Sequence, residues 1–109
     1  MDREDEIMAR LILDILRTDL KRVFSWGFQC PKIIKGGLRA YVAGFLYEGY
    51  IEVKYNRGKD LFEVSTFNDD GSIKDKVEDV YLDSLVNVVD DLVERCENYE
   101  QRVQELYGI

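Results

Sequence analysis

The stretch "YIEVKYNRGKDLFEVSTF", residues 50–67, holds two short segments in which apolar and polar side chains alternate around a turn. In the first segment Ile51 and Val53 alternate with Glu52. The second segment, 61–67, repeats the pattern. Alternation with a period of two predicts β-strands that bury one face, and the connector NRGK has the length and composition of a hairpin turn. Residues 50–67 therefore predict an antiparallel β-hairpin.

Further strands are predicted on both sides of this hairpin. The segment "LRAYVAGFL", 38–46, also alternates, although both of its faces carry apolar residues. A weaker strand is predicted at 72–80, with Ile73 and Val77 facing the core, and its many charges are typical of an edge strand. Together these segments predict an antiparallel β-meander of three to four strands.

Amphipathic helices are predicted at the two ends of the chain. Over 3–24 the apolar residues recur at spacings of three and four, with acidic residues in the first turns and basic residues in the last, as the helix dipole favours. Gly27 follows where a left-handed helix cap is expected. A second apolar stripe, from Leu82 to Tyr107, predicts a long C-terminal helix of roughly 36 to 40 Å, whereas the strands span only about 20 Å.

The order of the elements predicts a two-layer α+β fold with both helices on one face of the sheet. A chain of 109 residues, 46% of them hydrophobic, is expected to form a single domain over 1–109 with its own core. The part of the long helix beyond Cys96 would overhang the sheet. It is therefore expected to contact either the N-terminal helix or a second copy of the chain.

Charge is distributed unevenly along the chain. The net charge is −7, which disfavours nonspecific binding to nucleic acid because the phosphates would be repelled. Residues 10–39 nevertheless contain seven Lys or Arg against two Asp, and residues 60–100 contain thirteen acidic residues against three basic ones. A basic early segment and an acidic late segment are thus both candidates for contact with a partner.

No motif for catalysis or for a cofactor is found. The chain has no His, and its two Cys lack the spacing of a zinc site or of a disulfide framework. The acidic pairs Asp69–Asp70 and Asp90–Asp91 are interpreted as a turn and as the polar face of a helix. We therefore expect a protein that is not an enzyme, with no metal or cofactor. The acidic N-terminus does not resemble a signal peptide and no apolar run is long enough to span a membrane, so a cytoplasmic location is expected.

The stretch "FSWGFQCPKIIKGG", residues 24–37, concentrates the unusual residues of the chain, including the single Trp and the single Pro. Its proline and glycines predict a connection of about a dozen residues, a length typical of functional or self-packed loops. Trp26 and Phe28 are expected to close the open end of the core. Lys32 and Lys35 are expected to stay outside, available to an acidic partner.

These patterns predict a protein-interaction domain that forms a homodimer. The predicted partner-binding residues come from this loop and from the sheet face that points away from the helices: Trp26, Phe28, Lys32, Lys35, Arg39, Tyr41, Phe45 and Tyr50. Exposed aromatic residues rimmed by charge are typical of surfaces that bind protein. The predicted dimer or helix–helix contacts lie on the C-terminal stripe: Cys96, Tyr99, Val103 and Leu106.

Two other functions remain open from the sequence. The acidic band, 60–100, could mimic nucleic acid and inhibit an enzyme that handles it, as small acidic proteins of mobile elements do; regularly spaced, unpaired carboxylates would support this hypothesis. Alternatively, the sheet-face aromatics could stack the bases of a single-stranded nucleic acid. The chain lacks the motif of the common sheet-face RNA binders, so a protein partner is favoured over nucleic acid.

Overall fold

A computed structural model describes residues 3–94 of the chain; residues 1–2 and 95–109 lie outside the described part. The helices are α1 (Arg3–Leu16), α2 (Leu20–Ser25) and α3 (Leu85–Val93), with short 3-10 turns at Arg17–Asp19 and Leu82–Ser84, and the strands are β1 (Gln29–Ile34), β2 (Gly37–Ala43), β3 (Glu48–Asn56), β4 (Leu61–Phe67) and β5 (Ile73–Val80). The strands form one antiparallel sheet in the order β1-β2-β3-β4-β5. The predicted α+β class and antiparallel meander are confirmed, but the number of strands, three to four, was too low.

The additional strand is β1, which lies within the segment predicted as a loop. Pro31 lacks an N–H group, and a proline is tolerated in an edge strand because one side of that strand needs no partner. The pairing with β2 also shifts between Gln29 and Lys32, and Cys30 adopts a φ of +55° there. This bulge accommodates the proline, which is why a pattern typical of a loop forms a strand.

The predicted N-terminal helix is interrupted by the 3-10 turn at Arg17–Asp19. Thr18 donates from its hydroxyl to the carbonyl of Ile15 at 2.7 Å, and the Asp19 carboxylate accepts the N–H of Arg22 at 3.3 Å as the cap of α2. Thr and Asp favour such local bonds over a continuous helix. Gly27 follows α2 with a φ of +62°, so the predicted left-handed cap is confirmed.

Both helical regions pack on one face of the sheet, as predicted. The inner positions of the central strands are Leu38, Ala40, Val42, Ile51, Val53, Phe62, Val64 and Thr66, all of which are buried. Ile12 and Leu16 of α1 and Val89 of α3 belong to the same buried cluster as these strand residues. On β5, Val77 packs against the core as predicted, whereas Ile73 is 54% exposed. The prediction for Ile73 was wrong because the pairing with β4 shifts near Phe67 and changes the face on which it lies.

The prediction of one long C-terminal helix was also wrong in the described part, because α3 ends at Val93. The carbonyl of Val93 accepts the N–H of Leu46 at 2.8 Å, so the loop after β2 binds the end of the helix. A Cβ atom on Gly44 would lie 2.2 Å from that carbonyl oxygen, which means that only glycine permits this approach. Glu94 has a non-helical φ of −125°.

Glu94 is held by the same loop, since its carboxylate accepts the N–H of Phe45 at 2.9 Å. The side chain of Glu94 is nearly buried, with 5% of its surface exposed. A carboxylate that binds a backbone N–H in a buried position favours one backbone geometry. The last described residue of the chain is thereby attached to the loop between β2 and β3.

The indole of Trp26 joins α2 to α3 inside the core. Trp26 is fully buried, and its Nε1 donates to the Asp90 carboxylate at 2.8 Å. Asp90 is itself buried, so its predicted place on the polar face of the helix was wrong. The carboxylate of Asp90 can be buried because the indole N–H of Trp26 satisfies it with a hydrogen bond.

Replacing Trp26→Phe should lower the free energy of unfolding by about 3 kcal/mol, because the change removes volume from the core and leaves a buried carboxylate without its donor. Urea denaturation measures this loss. Asp90→Asn is the control, since an amide oxygen can still accept the indole N–H, and it should cost only about 1 kcal/mol. A loss in Trp26→Phe no larger than the loss in Asp90→Asn would contradict this prediction.

Candidate protein-interaction surface

The face of the sheet that points away from the helices carries paired charges. Arg39 lies opposite Glu52 in the register of β2 and β3, and its Nε and Nη2 atoms donate to Glu52 Oε2 at 2.9 and 2.5 Å. Lys54 Nζ lies 3.6 Å from the other oxygen of Glu52. The charges at the centre of this outer face are thus largely satisfied within the sheet.

Two tyrosines stand next to these charges. Tyr41 lies opposite Tyr50 in the same register, and their rings meet edge to face with centroids 5.4 Å apart and planes at 81°. The guanidinium of Arg39 lies 5.6 Å from the centroid of the Tyr50 ring. Tyr50 remains 47% exposed. An aromatic pair of this kind presents a large apolar area with polar tips, which suits contact with a protein.

The tyrosine pair forms one wall of a groove of about 470 Å³. The groove is lined by Arg39, Tyr41, Tyr47, Glu48, Gly49, Tyr50, Phe67, Asn68, Asp69 and Gly71. These residues come from β2, the loop that ends at Tyr47, β3, the end of β4 and the turn that follows it. The groove is therefore a property of the assembled sheet and of no single strand.

Tyr47 sets the shape of this groove from below. Its hydroxyl accepts the N–H of Phe67 at 2.9 Å and lies 2.7 Å from the carbonyl of Tyr50, to which it can donate. A Cβ atom on Gly49, which has a φ of +149°, would lie 2.6 Å from this hydroxyl. Glycine is therefore required beside Tyr47. These contacts hold the ends of β3 and β4 at a constant separation and so maintain the width of the groove.

The electrostatic environment of the groove is negative near Tyr41. Burial raises the pKa of the Tyr41 phenol above its ordinary value, and the charge of Glu48 raises it further, together with a hydrogen bond to that carboxylate. Both carboxylate effects favour the neutral phenol over the phenolate. Asp69 adds a second carboxylate to the lining.

The structure brings together four of the eight predicted partner-binding residues. Lys32 lies opposite Arg39 in the register of β1 and β2, so both are on the outer face with Tyr41 and Tyr50. The predicted place of Phe45 on that face was wrong, because β2 ends at Ala43 and Phe45 lies in the following loop.

The other three residues lie elsewhere. Trp26 is fully buried and cannot contact a partner, whereas its predicted role in closing the core agrees with this burial. Phe28 is partly buried against the core, and Lys35 is exposed in the turn between β1 and β2. The predicted contacts of the C-terminal stripe, Cys96, Tyr99, Val103 and Leu106, lie outside the described residues.

Several residues of the groove were not predicted from the sequence. Phe67 could have been found, because the alternation that places Phe62 and Val64 inside places residue 67 outside. Tyr47, Glu48 and the residues of the turn after β4 had no such signal. They reach the groove only because β3 and β4 pair in the observed register.

Within residues 3–94, no group of three or more His, Cys, Asp or Glu side chains converges as metal ligands would. No helix of this part has the length and apolar character that crossing a membrane requires. Comparisons with protein-family models, with curated protein sequences and with solved structures found no match for this chain. Any function must accordingly be argued from the residues of the chain itself.

Replacing Glu48→Gln should lower the pKa of Tyr41 toward its ordinary value, because the nearby negative charge is removed. An ultraviolet titration of tyrosinate measures this shift when the curve of a Tyr41→Phe variant is subtracted to isolate one of the seven tyrosines. Asp83→Asn, which removes a distant carboxylate, is the matched control. An unchanged pKa in Glu48→Gln would show that Glu48 does not act on Tyr41.

Proposed function

We propose that this protein is a small, non-catalytic interaction domain that binds a protein partner through the outer face of its sheet. The observation that carries the proposal is the groove of about 470 Å³ beside the Tyr41–Tyr50 pair, which opens on a sheet face that no described residue covers. Lys32 of β1, which belongs to the segment at 26–37, lies on the same face and is part of the proposed binding surface. Aromatic and Arg side chains are the types most often found at the centre of protein interfaces.

The edges of the sheet favour contact through the face over addition of a partner's strand. At one edge β1 carries Pro31, Lys32 and a bulge. At the other edge β5 is dominated by charged residues and also contains a register shift. Prolines, lysines and bulges are the features that keep edge strands from pairing with other chains. The outer face therefore remains the better candidate for binding.

The acidic mimic of nucleic acid is less well supported. At least seven of the eleven carboxylates in the described part of the band have a partner: Glu63 and Glu78 contact Lys76, Asp79 contacts Lys59, Asp60 binds Tyr55, Asp70 binds Ser72, Asp90 binds Trp26 and Glu94 binds the N–H of Phe45. A mimic needs a surface of unpaired, repulsive charges, and pairing with Lys removes them.

The main proposal includes a cytoplasmic location, in agreement with the free, exposed thiol of Cys30.

Binding of single-stranded nucleic acid is also less well supported. Arg39, the cation beside the aromatic pair, is already bound by Glu52. The groove is lined by Glu48 and Asp69, whose charges would repel phosphates. The same lining is compatible with a protein partner, which need not carry negative charge.

Replacing both Tyr41→Ser and Tyr50→Ser should abolish capture of the partner from extracts of the native host, because the double variant removes the aromatic wall of the groove. Quantitative mass spectrometry of the captured proteins measures this. The control is Tyr81→Ser with Leu82→Ser, which removes exposed apolar area on the helical side of the molecule, where these residues are 65% and 54% exposed. Equal capture by the two double variants would contradict the proposal.

The proposal includes a homodimer, for which the C-terminal stripe of the sequence is the support. Light scattering over a wide range of concentrations should give twice the monomer mass of 12.8 kDa. Val103→Glu or Leu106→Glu should return the mass to that of the monomer, whereas Gln104→Glu, which adds the same charge off the stripe, should not. A constant monomer mass in the wild-type protein would contradict the dimer.

A further inference from the structure

The aromatic rings of the groove are arranged as the walls of a site for a cation. Tyr41 and Tyr50 stand nearly perpendicular, at 81°, with centroids 5.4 Å apart, so the two rings contact each other and a guest would lie against their outer surfaces and not between them. Tyr47 and Phe67 add two more rings to the lining. The faces of aromatic rings carry negative potential and attract ammonium and guanidinium groups.

The protein already places its own cations on two of these rings. The Arg39 guanidinium lies 5.6 Å from the centroid of Tyr50, and Lys74 Nζ lies 5.3 Å from the centroid of Tyr47. The groove therefore attracts positive charge in the structure as it stands. Tyr41 has no cation of this kind among the described residues, and its ring lies beside Glu48.

The charges that line the groove leave an excess of negative charge. Arg39 is the one cation of the lining, and it is bound by Glu52, which Lys54 also contacts at 3.6 Å. A cationic guest would be attracted by the two carboxylates of the lining, Glu48 and Asp69, and by the rings.

Building on the proposed function, we infer that the groove receives an Arg or Lys side chain from a basic segment of the protein partner. The cation lies against Tyr41 and the free surface of Tyr50, and Glu48 and Asp69 neutralise it from the rim. The net charge of −7 attracts such a segment at long range and increases its rate of association. Specificity comes from the perpendicular rings, because charge alone does not select one site on an acidic protein.

Fluorescence anisotropy with a short labelled peptide of Gly, Ser and several Arg residues tests this inference on the full chain. The Arg peptide should bind, and the same peptide with citrulline or with Glu in place of Arg should not, because citrulline keeps the shape and loses the charge. Tyr50→Leu should weaken binding about two- to fivefold, the effect typical of an exposed cation–π contact. Glu48→Gln should weaken it by a similar factor, about two- to fivefold, as expected for one exposed ion pair.

The matched control is Asp83→Asn, which changes the net charge by the same amount as Glu48→Gln at an exposed site outside the groove. Binding in Asp83→Asn should stay close to that of the wild type. Equal weakening by the two substitutions would overturn the inference, because it would mean that the peptide responds only to net charge. Failure of the Arg peptide to bind at low salt, or equal binding of the citrulline peptide, would overturn it as well.

The test of a cationic guest and the test of the proposed function can fail independently. If Tyr41→Ser with Tyr50→Ser abolishes capture of a native partner but the Arg peptide does not bind, the outer face is an interface and the inference of a cationic guest is wrong. If the Arg peptide binds with the expected response to Glu48→Gln, amide chemical shifts should change at Tyr41, Tyr50 and Phe67. Shifts confined to other parts of the chain would overturn the inference.

Discussion

A buried hydrogen bond, from the indole of Trp26 to the carboxylate of Asp90, joins the end of α2 to α3 within the helical layer of this protein. Burying a carboxylate is costly unless a donor satisfies it, so α3 must lie where Asp90 reaches the indole. The carbonyl of Trp26 also accepts the N–H of Ala43 at 2.6 Å, which attaches the end of the helical region to the end of β2. Helix α2, helix α3 and the sheet are thereby joined at one corner of the molecule.

The groove on the outer face depends on this corner. Once α3 is placed, the carbonyl of Val93 binds the N–H groups of Leu46 and Tyr47, which orients the loop between β2 and β3. Tyr47 then passes beneath Gly49 and binds the backbone of Phe67. Interactions in the core therefore position Tyr47 and Phe67 on the outer face of the sheet. A partner on that face would contact a groove whose shape depends on these core interactions.

The outer face combines two physical features that usually occur apart. Its centre carries cross-strand ion pairs, which satisfy each other and contribute little to stability at an exposed site. Beside these ion pairs, Tyr41 is half-buried and Tyr50 is exposed, and exposed apolar area next to charge is typical of surfaces that bind protein. This combination supports a binding role in which the charges orient the partner and the rings supply most of the contact area.

Period-two alternation in residues 50–67 was sufficient to predict the central hairpin and its buried face, because the side-chain direction in a strand follows from local backbone geometry. Alternation also placed Arg39, Tyr41 and Tyr50 on the outer face, and apolar spacings of three and four predicted both helical regions. The strand β1, the burial of Asp90 and the role of Tyr47 were decided only by the tertiary structure. Each of these depends on a partner distant in the chain, and no local pattern records whether a proline lies at an edge or whether a carboxylate meets an indole.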